Sequence, residues 1–385
     1  MIYLDNAATS WPKPPQVMNA MQNYFYKVGG SPGRSGHFLS VEAGKIVFEA
    51  RELLAELFNA PDPQRIVFTK NATEGLNFVL LTLLKPGDHI ITTSMEHNSV
   101  MRPLRYLERK GIEVTVVQCD GEGRVSLDDL KKSIKAHTKM IVVNHASNIV
   151  GTVQPVDKIG KIAKEHKCIF VVDCAQTAGS INIDLAKMNI DIVAFTGHKG
   201  LLGPQGTGGL CLNSNIDLPP LLYGGTGSNS ETETQPIHMP DKLESGTLNT
   251  IGIAGLSAGV KFILNTGISK IESYDQQITQ YFIDEILKYP ELELYGPREA
   301  IEKTGVISVN LKGVVCSEVG TILDRFFNIM TRTGLHCAPT AHKTIGTFSQ
   351  GGTIRFGLGY FNTEKEVKKT IDALEEIIEK NIAGD

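Results

Sequence analysis

Two residues of opposite chemistry end neighbouring apolar runs. Residues 168–172 (CIFVV) lead into Asp173-Cys174-Ala175-Gln176, and residues 191–195 (DIVAF) lead into Thr196-Gly197-His198-Lys199, followed by more glycine-rich chain. Taken singly, Asp173 reads equally well as a turn or helix-capping residue, and Lys199 reads more readily as a solvated surface amine. As a pair on adjacent strand tips they supply what pyridoxal phosphate requires. The amine condenses with the cofactor aldehyde, and the carboxylate keeps the pyridine nitrogen protonated, so that the ring withdraws electrons from a substrate α-carbon.

Further segments fit the same cofactor. His97 follows the run at 89–93, where an imidazole is placed to stack on a pyridine face; a capping or core histidine is the plainer alternative. Asn71-Ala72-Thr73-Glu74-Gly75 opens an apolar helix, and the backbone N–H groups of Ala72 and Thr73 offer its N-terminus to a phosphate. Thr196 and His198 are polar side chains able to add phosphate contacts. Neither a Walker loop nor a G-x-G-x-x-G turn after a strand is present, which leaves nucleotide binding a weak alternative.

A second chemistry sits near the C-terminus, in TRTGLHCAP at 331–339. Cys337 lies between a glycine turn and a proline, outside any apolar run, and Arg332 and His336 flank it in a way that favours an accessible thiolate. The cysteines at 119, 168, 174, 211 and 316 read as small core residues. A zinc site of His336, Cys337 and His342 lacks a fourth ligand, and the expected metal set is empty. Arg355, inside the short strand at 353–357, needs an anion. A substrate carboxylate and a structural salt bridge explain it equally well.

The elements that must position these residues are legible between 65 and 213. Apolar runs at 89–93, 113–118, 140–143, 168–172, 192–195 and 209–212 alternate with amphipathic stretches at 99–110, 127–136 and 157–166. Such alternation implies an α/β fold, a largely parallel sheet sandwiched between helices, with ligands at the carboxyl ends of the strands. Further helices read at 15–26, 41–59, 73–84, 251–265 and 269–288, and 224–240 reads as a polar loop. After Pro290 the texture becomes α+β. The expected division is a large domain at 15–265 and a smaller one made of 1–14 and 266–385. With 385 residues, 38 basic against 42 acidic side chains and 41% hydrophobic residues, this is an ordinary globular composition. It argues against a dedicated nucleic-acid binder and against a disordered chain. No apolar run reaches the ~18–20 residues of a membrane span, and the opening MIYLDNAATSWPKP carries no secretory pattern. A cytoplasmic enzyme is expected.

With these residues assembled, the chain resembles the class V aminotransferase family of pyridoxal-phosphate enzymes, and within it the cysteine desulfurases and selenocysteine lyases. The likeness runs through YLDNAAT at 3–9, NATEGLN at 71–77, EHNS at 96–99, HASNIVGT at 145–152, DCAQ at 173–176, TGHKGLLGPQGTGGL at 196–210, ESGTLNT at 244–250 and RTGLHCA at 332–338. The short R-x-G-x-x-C-A form is similar to the SufS-like branch. The resemblance implies the transferase fold of type I. It makes Lys199 the Schiff-base lysine, Asp173 the pyridinium partner, His97 the stacking ring and Gln176 a contact of the phenolic oxygen. Thr73, Thr196 and His198 would hold the phosphate, with Thr247 of a second subunit. Asn148, Arg355 and Arg332 fall in the substrate-binding set, and Cys337 becomes the sulfur acceptor. It further implies a homodimer that turns L-cysteine or L-selenocysteine into alanine and passes sulfur to an acceptor protein. Aminotransferase and kynureninase-like chemistries are the alternatives, and neither needs the thiol.

Overall fold

The computed structural model describes residues 1–33, 36–214, 216–228 and 231–383. A two-residue strand β1 (Ile2–Tyr3) precedes helices α1 (Pro15–Asn23) and α2 (Phe38–Leu57). The helical reading of 15–26 continues past Asn23 as a π-turn over Tyr24–Val28, closed by Gly29 at φ 58°. That left-handed conformation suits glycine.

The core of the molecule alternates strand and helix. It comprises β2 (Ile66–Thr69), α3 (Ala72–Leu83), β3 (His89–Thr93), α4 (Asn98–Glu108), β4 (Glu113–Val117), α5 (Leu127–Lys132), β5 (Thr138–Asn144), α6 (Val156–Glu165), β6 (Ile169–Asp173), β7 (Ile192–Thr196) and β8 (Gly208–Leu212). The seven strands form one sheet in the order β2-β8-β7-β6-β5-β3-β4. All run parallel except β8, which is antiparallel to both β7 and β2. The expectation of a largely parallel sheet therefore holds. β2 is absent from the sequence reading because its four residues follow directly on a 3-10 turn at Pro63–Arg65 and show too little pattern to stand out. The helix read at 127–136 ends at Lys132. There the amide and hydroxyl of Ser133 both turn back onto Asp129 O.

Alternate side chains of the central strands serve two cores, as a sheet covered on both faces demands. Ile141, Val143, Phe170, Val172, Val193 and Phe195 pack on one side. Met140, Val142, Val171, Ile192 and Ala194 pack on the other. The first side is covered by α2 and by α7 (Thr250–Thr266), which lies against both α1 and α2. The second is covered by α3 and α4. Described parts of the loop at 224–240 are irregular, and residues 229 and 230 lie outside the described residues.

At Gly267, φ 88°, the chain turns into α8 (Ile268–Ile286). No single helix among the described residues is long and apolar enough to cross a membrane, and α7 and α8 meet at 83°. A second sheet then forms from β9 (Leu292–Tyr295), β10 (Val306–Leu311), β12 (Arg332–Gly334) and β13 (Thr353–Gly357), all antiparallel, in the order β12-β13-β10-β9. Helix α9 (Cys316–Phe327) and strand β11 (Ile329–Met330) precede β12; helices α10 (Pro339–Thr344) and α11 (Glu364–Ala383) flank β13. β1 pairs with β11, so Ile2 and Leu4 enter this second core beside Phe282 and Phe356. The chain's first residues thus connect the C-terminal sheet to the crevice described next.

Candidate active site

Four strand ends converge on one cavity of about 260 Å³. Asp173 is the last residue of β6, and the register pairs it with Ala194 of β7. Thr196 ends β7, and Lys199 follows in the next turn. Asn144 ends β5, and His97 caps α4 just beyond β3. The rule that ligands meet parallel sheets at their carboxyl ends is therefore obeyed by every strand concerned. Asp173 and Lys199 line the same cavity.

The turn carrying Lys199 is held from outside by the N-terminal segment. The Ser10 amide and the Thr9 hydroxyl donate to His198 O at 3.0 and 3.1 Å, the Lys13 ammonium donates to the same oxygen at 2.8 Å, and the Ser10 hydroxyl donates to Lys199 O at 2.8 Å. Gly197 makes the turn possible, since a Cβ there would fall 2.1 Å from Thr207 Oγ1. Burial, the largest cause, pulls the Lys199 amine down to about 8, and Arg355 and Arg332 add to this against the pull of Asp173. Burial raises the Asp173 carboxyl, opposed by the Ala175 amide, which donates to Oδ1 at 2.9 Å, and by Lys199. A free amine is thus available near neutrality. The rate at which cofactor-free protein takes up pyridoxal phosphate should accordingly rise through about pH 8, because the neutral amine is the nucleophile. A stopped-flow pH series measures this, and a midpoint near the ordinary 10.5 would contradict it.

One end of the cavity suits a phosphate. Asn71 caps α3 by accepting from the Glu74 amide at 2.9 Å, while the first N–H groups of the helix, at Ala72 and Thr73, have no intrahelical acceptor. The Thr196 hydroxyl and His198 Nδ1 are buried without a hydrogen-bond partner. Thr73 Oγ1 lies 2.6 Å from Ser99 Oγ, which in turn lies 2.7 Å from His97 Nδ1. Burial lowers both His97 and His198 to about 4, so each ring is neutral at physiological pH. Unfilled donors, a carboxylate and an amine on the walls of one cavity match the three parts of pyridoxal phosphate. Gln176 lines the cavity and donates to Ala7 O at 3.0 Å.

The opposite wall is cationic. Arg332 and Arg355 are directly paired across β12 and β13, and like charges facing each other across a sheet are destabilising unless an anion intervenes. Arg355 Nη2 reaches Asp5 Oδ1 at 2.9 Å and Nη1 donates to Asn148 O at 3.0 Å, while its Nε is buried without a partner. Asn148 donates to His336 O at 2.8 Å, and its Oδ1 has no partner. Both sequence readings of Arg355 are therefore represented: a salt bridge exists, and donor capacity toward the cavity remains.

Cys337 is exposed at the mouth. His336 and Cys337 hold φ of 44° and 59°, consecutive left-handed conformations that non-glycine residues rarely adopt. The Cys337 carbonyl is tied to the start of α4 by the Asn98 amide at 2.8 Å, beside His97. His336 does not supply the positive charge that its sequence position suggested. It is buried, its Nε2 lies 3.1 Å from Thr353 O, and burial drives it down to about 2. Arg355 is the cation that interacts electrostatically with Cys337, and Arg332 and Lys199 line the same cavity. His342 Nδ1 lies 2.7 Å from Thr347 Oγ1, while its Nε2 is buried without a partner.

Of the sequence-derived site residues, Lys199, Asp173, His97, Gln176, Ala72 and Thr73 line this cavity, as do Thr196, His198, Asn148, Arg355, Arg332 and Cys337. Thr247 does not. It is exposed in a separate cleft with Arg51 and Glu244, and only a second chain would bring it to a phosphate. The sequence assigns no role to Asn144, Ser99 or Asp5, although Ser99 and Asp5 lie in the EHNS and YLDNAAT segments. Asn144 follows the run at 140–143 and is open to the rule that exposes Asp173, whereas Asp5 is 350 residues from Arg355 and nothing local points to that pairing.

A lysine and an aspartate on adjacent tips of a mostly parallel sheet define an enzyme of the type I pyridoxal-phosphate transferase fold. The chain belongs to the aminotransferase class-V family, whose model matches residues 2–370. A probable cysteine desulfurase of Pyrococcus abyssi (strain GE5 / Orsay) is 38% identical, over 98% of this chain and 94% of that protein. A second, of Methanothermobacter thermautotrophicus, is 35% identical over the same shares. The apo structure of a cysteine desulfurase from Thermococcus onnurineus NA1 matches with a TM-score of 0.92 at 35% identity, covering 98% of this chain and 95% of that one.

Proposed function

We propose that the chain is a pyridoxal-phosphate-dependent cysteine desulfurase that converts L-cysteine to L-alanine and carries the sulfur on Cys337. The observation that carries the reading is the exposed Cys337 on the rim of the cavity that Lys199, Asp173 and Arg355 also line. Bound pyridoxal phosphate supplies an electron sink for the substrate α-carbon. The chain's own groups do the rest. The Ala72 and Thr73 amides, Thr196 and His198 would hold the phosphate, and Asp173 would hold the proton on the pyridine nitrogen. His97, neutral at working pH, would stack on the ring. Arg355, Arg332 and Asn148 orient the substrate carboxylate. Lys199, with its amine near 8, takes the proton from the substrate α-carbon. The Cys337 thiolate then attacks the substrate sulfur. A sulfur–sulfur bond forms, the carbon–sulfur bond breaks with its electron pair left on the carbon skeleton, and that skeleton takes up two protons, one at the carbon that bore sulfur and one at the α-carbon replacing the proton Lys199 removed, and leaves as alanine. The Cys337 persulfide passes its outer sulfur to an acceptor protein.

A homodimer completes the site. Phe25, Tyr26 and Phe38 are 66%, 78% and 73% exposed, and so much apolar surface near the N-terminal helices suits a second copy. The deciding assay incubates purified, cofactor-loaded protein with L-cysteine and L-selenocysteine side by side and measures alanine. Alanine and persulfide in equal amounts from cysteine are expected. A keto acid without alanine would make the chain an aminotransferase, and alanine from selenocysteine alone would make it a selenocysteine lyase.

Arg355→Ala should raise the KM for cysteine about 10- to 150-fold, the range of a charge-assisted hydrogen bond worth about 1.5–3 kcal/mol, with cofactor content unchanged. Steady-state kinetics and absorbance on the same preparation test this. A chain that fails to fold would instead assign Arg355 wholly to its bridge with Asp5.

A further inference from the structure

A second cavity, of about 120 Å³, backs the catalytic one, and Lys199 and Gln176 belong to the walls of both. Its sides come from both halves of the chain: the turns near residues 180 and 200 on one, α8 and residues 301–306 on the other. The turns touch through bare backbone, since a Cβ on Gly179 would fall 2.4 Å from Gly200 O. An occupant of this cavity therefore bears on the turn that carries Lys199.

Three acidic or basic side chains with no part in the chemistry above line it. Glu272 and Asp275 stand one turn apart on α8, and Lys303 comes from a different wall, after the 3-10 turn at Ala300–Glu302. Asp275 Oδ1 is buried and has no hydrogen-bond partner. Lys303 is 3% exposed and, among the described residues, donates only to Pro297 O, at 3.3 Å. An ammonium has three donors to place, and a buried charge without a counter-charge is costly. The electrostatics agree: burial, then Glu272, raises Asp275 to about 8, and burial lowers Lys303 to about 7. A simple cation would satisfy the carboxylates and leave Lys303 stranded, while a simple anion would do the reverse. A molecule carrying both charges relieves both walls, and the volume admits only a few heavy atoms.

We propose that this cavity is a second amino-acid site, which takes a small zwitterionic α-amino acid with its ammonium toward Glu272 and Asp275 and its carboxylate toward Lys303. The inference goes beyond the proposed reaction, because none of these three residues takes part in it. Product and substrate share this chemistry, and two probes separate them: L-alanine for the product and L-serine, with a hydroxyl in place of the thiol, for the substrate.

Calorimetric titration of the cofactor-loaded protein should find two sites per chain for at least one probe. The tighter of the two probes at the second site identifies its natural occupant as product or substrate. Asp275→Asn and Lys303→Met should each weaken one site about tenfold or more and leave the other intact. Ethylammonium and propionate, each with a single charged end, should bind the affected site more weakly by a similar factor. Glu272→Gln, at a more exposed position, serves if Lys303→Met does not fold, and thermal melts check each variant. A single site for both probes, or two sites that none of these substitutions alters, overturns the proposal. Arg355→Ala keeps the two readings apart: it should weaken the other site about 10- to 150-fold, and if it weakens neither, the catalytic reading fails while this one stands.

Discussion

Lys199→Ala should lose cysteine turnover by about 10²–10⁴-fold, the usual contribution of a positioned acid–base group, together with the visible absorbance of bound cofactor. The reason is positional. Lys199 lines the same cavity as Asp173 and Arg355, and burial holds it near 8 rather than 10.5, so a nucleophilic fraction exists at neutral pH. Borohydride treatment of the wild-type holoprotein followed by peptide mass mapping should place the reduced cofactor on residue 199 and on no other lysine. Lys13, also lowered to about 8 by burial, is the natural control: it donates to His198 O, and labelling there instead would refute the assignment. The N-terminal clamp on this turn explains why the first residues of the chain matter to a site built mainly between 70 and 200.

Cys337→Ala should keep cofactor content and absorbance, yet lose alanine and persulfide formation at least about a hundredfold, equal to about 2.7 kcal/mol of lost transition-state stabilisation. Labelling of the persulfide and an alanine assay on one preparation decide it, and undiminished turnover of cysteine would remove the proposed role. Stability should move the other way in Cys337→Gly. The φ of 59° at this position costs a residue with a Cβ about 1–2 kcal/mol, whereas the greater freedom of glycine in the unfolded chain returns about 0.4–1 kcal/mol. The melting temperature of Cys337→Gly should therefore equal or slightly exceed that of wild type while sulfur transfer is abolished. A strained thiol retained at a net cost to stability is what a functional position shows.

The sequence alone determined the chemistry and its place in the sheet. Runs such as 168–172 and 192–195 are apolar at every position because their strands are buried on both faces, and a ligand crevice at their carboxyl ends follows from that topology. Asp173, Thr196, His198 and Lys199 were therefore legible from short-range pattern, as was Cys337 from its lack of an apolar context. What required the tertiary structure were relations between residues far apart in the chain. The partner of Arg355 is Asp5, brought to it because β1 joins the C-terminal sheet. The charge expected of His336 vanishes because β13 buries its ring against Thr353. The reversal of β8 depends on how the chain closes the sheet, and the Glu272, Asp275 and Lys303 wall exists only where two packed halves meet. Local pattern reports how one segment is buried, whereas pairing, desolvation and charge complementarity arise from packing between segments and leave no mark on either one.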